Sequence, residues 1–399
     1  MEISYRLIVH TALILIALAA ALAVLIAFSS AIAGQGAPQA EWGRAYDGGH
    51  YDYGSTGLQA SDGGYVITGG VSPAYKGDRN ILLLKADSNG SMQWQRSFGG
   101  DGFDYGYAVI EPPGGGYAVA GVTESRGNGS GDVYLIRTDA GGNPQWERTY
   151  GGSGYDQGRA LLQASDGGFI VAGYTNSRGN GSGDVYLFKT DAQGELQWEK
   201  TYGGPYDDLA ITITKTRDGG YVVGGRYGTA GDSGEAYLLK VDASGNVQWD
   251  KRTGEPDSII YQARQTEDRG YVAVGYTGYQ SGNGSILLYK VDGQGNILWH
   301  KTITAPNRTL KGYDIFLAPD GGYIIVGESG SEAGKNEGLL VKTDNEGNLE
   351  WQQPYGAERD VFIRSGIPTR DHGLALVGSI GDKGDVETWD VYLLKLSSI

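Results

Sequence analysis

The sequence predicts an all-β fold, a seven-bladed β-propeller of four-stranded blades, preceded by an apolar N-terminal helix. Three observations carry this. A DGG-like opening recurs at Asp62, Gly114, Asp166, Asp218, Asp268, Asp320 and Asp371, in steps of 52, 52, 52, 50, 52 and 51 residues. A closing tryptophan recurs at Trp42, Trp94, Trp146, Trp198, Trp249, Trp299 and Trp351, in steps of 52, 52, 52, 51, 50 and 52. Each period holds four short apolar or alternating runs separated by turn signals, the pattern of a propeller blade. A period this long and steady marks stacked units, none of which buries a core alone.

In chain order, residues 7–28 (LIVHTALILIALAAALAVLIAF) come first, apolar apart from His10 and Thr11 and preceded by Arg6. About 20 residues span a bilayer, so the run is long enough to anchor the chain. Ala31-Ile32-Ala33 is also an A-x-A site of the kind a signal peptidase cuts. Residues 1–33 therefore read as a signal peptide or as an uncleaved membrane anchor. Both place the remainder of the chain outside the cytoplasm, secreted or held at the cell surface. Residues 34–40 are a short Gly/Pro/Gln linker, and residues 41–399 are the repeat domain.

The third full unit is representative. Gly158–Ala164 is the first strand, and Asp166-Gly167-Gly168 is a tight turn whose glycines supply positive φ. Phe169–Tyr174 is the second strand, followed by a polar glycine-rich loop over Asn176–Gly183. Val185–Thr190 is the third strand, Asp191–Gly194 a second turn, and Leu196–Tyr202 the fourth strand.

The two ends set the blade count. Val391–Leu396 is a third strand with no fourth after it, and Glu41-Trp42-Gly43-Arg44 is a fourth strand with no blade before it. Pairing one with the other closes the ring at seven blades. Closure removes the exposed sheet edges of an open β repeat, and a closed ring is expected to act as a monomer. Trp389, the eighth tryptophan, falls out of register and is expected in a loop.

Composition narrows the function classes. The 69 glycines stand at fixed offsets beside apolar runs, which excludes low-complexity disorder. The net charge of −15 falls entirely in the repeat region, because Glu2 and Arg6 cancel in the N-terminal segment. Such an acidic surface argues against nucleic acid and anionic lipid as partners. With no cysteine there are no disulfides, thiolate metal sites or cysteine nucleophiles. His10, His50, His300 and His372 form neither a helix-spaced pair nor a recognisable triad. No P-loop or nucleophile elbow occurs either, so no catalytic or cofactor-binding residue is assigned.

Four recurring features are candidates for chemistry. The spacing D-x-x-G-x-x-x-W occurs six times, from Asp87/Gly90/Trp94 to Asp344/Gly347/Trp351, and reads as a turn plus a packing residue. A basic residue recurs on strand three at Lys85, Arg137, Lys189, Lys240, Lys290, Lys342 and Lys395, with neighbouring-strand carboxylates such as Glu147 or Glu199 as expected partners. An aspartate stands ten residues before the opening in four units, at Asp52, Asp104, Asp156 and Asp208, near the expected channel mouth. Together these could bind Ca²⁺ or another hard cation, or they could bond loop amides. Ser258, Leu310 and Val361 leave any such ring incomplete. Finally, the loops between strands two and three lie on that same face, and two of them share SRGNGSGDVYL at Ser125–Leu135 and Ser177–Leu187. They read as recognition loops or as spacers. Sequons at Asn89, Asn128, Asn180, Asn283 and Asn307 are glycosylation candidates in an exported chain.

Both halves of the repeat, DGGYxxxG and DxYLxKxDxxGNxxW, resemble those of secreted and cell-surface propellers of archaea and bacteria, and the likeness covers residues 41–399. It implies a surface or adhesion module. The Asp/Gly/Trp half is also similar to the tryptophan-docking repeat of quinoprotein dehydrogenases, but their eight blades, quinone, calcium and paired cysteines do not match this chain. It resembles the sialidase Asp box with longer gaps, and no cluster of arginines for a carboxylate substrate stands out. Kelch propellers share the Gly-Gly, Tyr and Trp landmarks and are mostly binding modules. The function expected is binding of a protein or glycan at the cell surface, without catalysis. The alternative is an exported polysaccharide hydrolase or lyase with a carboxylate-lined site at the channel mouth.

Overall fold

The computed structural model describes residues 36–398 except 50, 73–78, 232–233, 279–283, 331–334, 357 and 383. The segment 1–33, expected to be a signal peptide or anchor, lies outside the described residues. Among the described residues no helix is long and apolar enough to cross a membrane.

Seven four-stranded antiparallel sheets make up the domain. The third unit folds as Asp156–Gln163, Phe169–Thr175, Asp184–Thr190 and Leu196–Tyr202, each boundary within two residues of the sequence reading. Its second strand is buried almost end to end, because a neighbouring sheet covers each face. That is why these strands read as continuous apolar runs and not as alternations. The fourth strand is outermost and half exposed, which its mixed composition LQWEKTY reflects.

The last sheet is closed by the N-terminal strand. Ala40–Tyr46 pairs antiparallel with Asp385–Leu396, which continues to Leu374–Asp382 and Asp360–Pro368. The seam has further fastenings. Ser397 N donates to Gln39 O and Gln39 N to Ser397 Oγ, both at 2.9 Å. In other blades a strand-four tyrosine hydroxyl bonds the carbonyl of the next blade's turn glycine: Tyr46 to Gly90 O at 2.8 Å, Tyr150 to Gly194 O at 2.6 Å. At the seam the turn does not exist, and Tyr355 donates instead to Pro38 O at 2.6 Å. Part of the linker thus takes the place of the missing turn.

One expectation is corrected here. Trp389 is not in a loop but inside the strand Asp385–Leu396, 7% exposed. That strand begins six residues earlier than its apolar core, VYLLKL. This carries Trp389 between the last blade and the first, stacked on Tyr53 at 6.0 Å and against Phe362 at 4.9 Å.

Among the described residues the core lies between blades, in seven large clusters that each join two adjacent sheets and a small eighth, Ile259, Tyr276 and Tyr313, beside the channel. The D-x-x-G-x-x-x-W motif divides its work between two such joints. Its aspartate collects turn amides, as Asp87 does from Asn89 N at 2.9 Å and Ser91 N at 2.8 Å. Its tryptophan meets the aromatic after the next blade's DGG, as in Trp146–Phe169 and Trp249–Tyr271, edge-to-face at 5.8 Å. Its glycine sits under the preceding blade's tryptophan. Gly90 has φ 77°, and a Cβ there would meet Trp42 at 2.6 Å, so both backbone and space demand glycine.

The strand-three cations are corrected in part. Their common partner is the DGG aspartate of the same blade; in two blades the expected strand-four carboxylate joins it, Glu350 on Lys342 at 2.8 Å and Glu41 on Lys395 at 3.3 Å, while Glu147 and Glu199 take no part. Lys85–Asp62 (2.9 Å), Lys240–Asp218 (3.0 Å), Lys290–Asp268 (2.7 Å), Lys342–Asp320 (2.8 Å) and Lys395–Asp371 (2.9 Å) all form, as does Lys189–Asp166. The register explains it. Lys189 is opposite Ile170 on the second strand, one residue from Phe169, where the DGG turn ends. In the second blade the opening residue is Gly114, and there the cation is Arg137, which bonds the carbonyls of Gly115, Tyr117 and Thr138. Glu147 and Glu199 accept instead from the hydroxyls of Tyr134 and Tyr186.

This architecture makes two outcomes testable. Deleting Glu41–Tyr46 removes one blade's outer strand and exposes the edge of Asp385–Leu396. The melting temperature of the whole domain, followed by circular dichroism, drops by about 10 °C or more, and the variant self-associates; an unchanged melt would refute closure. The second concerns Asp218. Partial burial raises its pKa, but the Thr216 hydroxyl, the Lys240 ammonium and the Gly220 amide outweigh this and hold it at about 2. Because the folded value lies below the unfolded one (~3.9 for a free Asp), the pair stabilises fully above pH 4 and loses its effect as pH falls toward 2. Asp218→Ala costs about 1 kcal/mol at neutral pH, the low end for a charged hydrogen bond since the carboxylate is more than half exposed. Denaturant titrations show the difference shrinking between pH 4 and 2, and Lys240→Met added to Asp218→Ala restores most of it.

Candidate functional site

The first strand of every blade lines a central channel of about 780 Å³. In all seven, its pairing with the second strand is broken at one point, where a single extra residue bulges. The register skips between Gly54/Thr56, Gly106/Ala108, Gly158/Ala160, Ala210/Thr212, Ile260/Gln262, Gly312/Asp314 and Ile363/Ser365. A bulge leaves its extra residue out of the ladder and re-aims the side chain. The seven extra residues are Ser55, Tyr107, Arg159, Ile211, Tyr261, Tyr313 and Arg364, and each lines the channel. One residue per blade therefore forms a ring.

The positions just before the bulge are nearly constant: four glycines, one alanine and two isoleucines. The bulged position holds serine, tyrosine, arginine and isoleucine. The scaffold repeats while the ring does not.

The ring is aromatic and cationic. The Arg159 guanidinium lies 4.3 Å from the Tyr107 ring centre and that of Arg364 4.6 Å from Tyr313. Tyr261 meets Tyr313 edge-to-face at 4.9 Å and stacks on Tyr276 at 5.4 Å. Arg79, brought in from the second-to-third-strand connection of the first blade, sits among Tyr51, Tyr53, Phe103 and Tyr105, 4.7 to 5.5 Å from their centres. Beneath the ring a polar layer is cross-linked between blades, with Thr56 to Ser365 at 3.2 Å and Thr212 to Gln262 at 2.6 Å.

Charge in the channel runs against the charge of the chain. Among the described residues, the charged side chains lining it are Arg79, Arg159, Lys215, Arg264, Arg364 and one carboxylate, Asp314. That carboxylate is engaged by Arg264 at 3.0 Å and by the amides of Ile315 at 2.9 Å and Gly366 at 3.2 Å. Glu328, beside the channel, accepts from Tyr313 at 2.9 Å and pairs with Lys311 at 3.0 Å. Burial pushes the phenols of Tyr105 and Tyr313 up, so they stay protonated as donors. Burial works against the charge on Arg364, but Tyr313 and Glu328 beside it hold the guanidinium protonated.

The residues singled out from the sequence fall elsewhere. Asp52, Asp104, Asp156 and Asp208 are all buried within their blades, and none lines the channel. Each ties the strand-four handover to the loop after strand two. Asp52 accepts from Gly48 N at 2.6 Å and Ser72 N at 3.4 Å, and Asp208 from Gly204 N at 2.6 Å and Gly228 N at 2.8 Å. Asp104 takes Gly100 N at 3.1 Å and Ser125 Oγ at 2.6 Å; Asp156 takes Gly152 N at 2.8 Å and Ser177 Oγ at 2.5 Å. Burial raises Asp52 and Asp208 to about 6 against the pull of these amides. Among the described residues no group of three or more His, Asp or Glu side chains is placed to hold a metal ion.

The two SRGNGSGD loops are folded on themselves. Asp132 accepts from Asn128 N at 2.9 Å and Gly129 N at 3.3 Å, and Asp184 from Asn180 N at 2.9 Å. Asn89, Asn128, Asn180 and Asn307 are exposed, and Asn283 lies outside the described residues. Sequence reasoning found no arginine cluster because Arg79, Arg159 and Arg364 are separated by whole blades. Variability does not mark the ring either, because the positions just after the bulge, Thr56, Ala108, Ala160, Thr212, Gln262, Asp314 and Ser365, differ between units as much as the bulged one.

Comparison with known proteins bears on the fold. No family model matches the chain. Over 175 residues it is 30% identical to the regulatory protein FlaEY of Caulobacter vibrioides, covering 38% of this chain and 18% of that protein's length. Among solved structures, the WD40 domain of Neurospora crassa Pan2 superposes with a TM-score of 0.55 at 13% identity, over 89% of this chain and 95% of that one. The polysaccharide lyase Uly1 gives 0.53 at 14% identity, over 88% and 91%. A puromycin hydrolase complexed with PGG gives 0.51 at 15% identity, over 83% and 50%. These likenesses establish a propeller shared by non-enzymatic domains and enzymes.

Proposed function

We propose that this protein is an exported, cell-surface binding module that receives its ligand in the central channel. The observation that carries the reading is the ring of bulged residues. A repeated scaffold places the same backbone irregularity seven times and aims one serine, three tyrosines, two arginines and one isoleucine at one shared space. A pocket of about 780 Å³ lies within the ~300–1,000 Å³ range of ligand sites. Binding is favoured over turnover by the state of the groups in it. Catalysis by acid and base needs two titratable groups held apart in pKa. Here the carboxylates are tied to cations and amides, burial keeps the phenols of Tyr105 and Tyr313 protonated, and guanidinium groups do not exchange protons near neutral pH.

Export and surface retention rest on the apolar run at residues 7–28 and the A-x-A site after it. With export, Asn89, Asn128, Asn180 and Asn307 are accessible to glycan attachment, and the partner is a glycan or protein of the envelope. The acidic exterior disfavours nucleic acid.

The test is retention on the immobilised full-length chain of envelope glycans and proteins, with chemical identification of the eluted material. The ligand elutes chemically unchanged, and Tyr107→Ala weakens its retention tenfold or more while the melting temperature stays within a few degrees. Release of a cleaved product, or retention indifferent to Tyr107→Ala, would contradict the proposal.

A further inference from the structure

We infer that the ring binds a chain of carboxylate-bearing sugars, a uronate oligosaccharide; this deepens the binding reading above and rests on it. The first support is the inversion of charge. A chain of net charge −15 gathers five cations around its channel against one carboxylate that is already neutralised within the wall. An acidic protein has no solubility reason to concentrate guanidinium groups in an enclosed space. The field they set up selects an anion.

The second support is how two of those guanidinium groups are held. The Arg159 guanidinium carbon lies 4.3 Å from the Tyr107 ring centre and that of Arg364 4.6 Å from Tyr313, so each cation is held against an aromatic ring of the channel wall. A guanidinium presents its N–H donors as a planar fork that matches a carboxylate with two parallel bonds. Glu328 approaches Arg364 only to 3.9 Å, while Tyr313 and Lys311 hold that carboxylate closer, at 2.9 and 3.0 Å. Arg159 also takes Gln157 Oε1 at 3.1 Å through Nε.

The third support is what surrounds the cations. Tyr107 and Tyr261 stand half-buried at the level of the bulges, Tyr313 is buried beside them with its hydroxyl on Glu328, and Ile211 is the one aliphatic member of the ring. Below them lie Thr56, Ser365, Thr212 and Gln262. Aromatic faces with a hydroxyl- and amide-rich wall suit a ligand with apolar C–H faces and many hydroxyls. The hydroxyls and amides of the wall favour a sugar chain over an acidic peptide, which carries no hydroxyls for them to meet. Arg159 and Arg364 stand in the third and seventh blades, so they face the channel from well-separated positions. Two carboxylates on one sugar chain can engage both at once, which a single uronic acid cannot.

Titration calorimetry on the full-length chain in detergent micelles tests this, with tetragalacturonate and an alginate-derived tetramannuronate as probes. The fully methyl-esterified tetragalacturonate, galacturonic acid and a hexaglutamate peptide are the comparisons. At least one tetrauronate binds tenfold or more tighter than the methyl ester and than the monosaccharide, and binding weakens with added salt. Arg159→Gln and Arg364→Gln each cost tenfold or more. Arg364→Lys, which keeps charge but loses the fork, costs several-fold, and all three variants melt like the parent. Equal binding of ester and acid overturns the inference and leaves the binding module standing, as does tighter binding of hexaglutamate. Failure of both uronates to bind overturns it as well. Cleavage of a bound uronate with loss in the arginine variants upholds the ligand class and overturns the non-catalytic reading.

Discussion

The contact on which this structure depends is the seating of each turn glycine under the tryptophan of the blade before it. Gly90 under Trp42, Gly142 under Trp94 and Gly347 under Trp299 repeat one geometry, with space for no Cβ in any of them. The same tryptophan meets the aromatic after the neighbouring DGG, an arrangement worth about 0.5–1.5 kcal/mol beyond its buried area. Since both contacts cross a blade boundary, no blade holds them alone. Closing the ring through Ala40–Tyr46 completes the set, with Pro38 O standing where a turn glycine carbonyl would be.

This division of labour frees the inner strands. The outer half of each blade fixes the spacing of its neighbours, so the first strand is under weaker demand to repeat. Its bulge is retained in all seven blades, while the residue at its crest is serine, tyrosine, arginine or isoleucine. Acidic residues obey the same logic in reverse. The carboxylates of the DGG turns, the DxxG turns and the handovers are engaged by ammonium groups and amides of the scaffold, which leaves the channel to arginine and tyrosine.

Much of the fold was legible because the repeat states its own phase. The offset between Trp42 and Asp62 gave the closure and the blade count, and the third unit's strands were placed to within two residues. What stayed hidden depended on register. A bulge that occurs once in every unit leaves the period unchanged, so nothing in the spacing marks Tyr107 or Arg364 as displaced from the ladder. Neighbouring-strand carboxylates are the expected partners of the strand-three cations because sequence offsets cannot show that a side chain such as that of Lys189 runs along the sheet to Asp166. Trp389 was read as a loop residue because the strand that contains it begins with the polar residues Asp385 and Thr388. Asp104 and Asp156 sit at the expected end of the expected strand and bond loop amides, one of the two roles read for them; the added serine hydroxyls of Ser125 and Ser177 are a property of the folded handover. The N-terminal segment is read as an export signal from its composition alone.

The central claim is that scaffold and recognition are separable, with the bulge ring holding recognition. The most direct measurement replaces Tyr107, Arg159, Tyr261, Tyr313 and Arg364 with serine, the residue the first blade carries at Ser55, and tracks both thermal unfolding and ligand retention. One cooperative transition within several degrees of the parent, together with complete loss of retention, is the predicted result. A domain that no longer folds, or one that folds and retains its ligand undiminished, would contradict it.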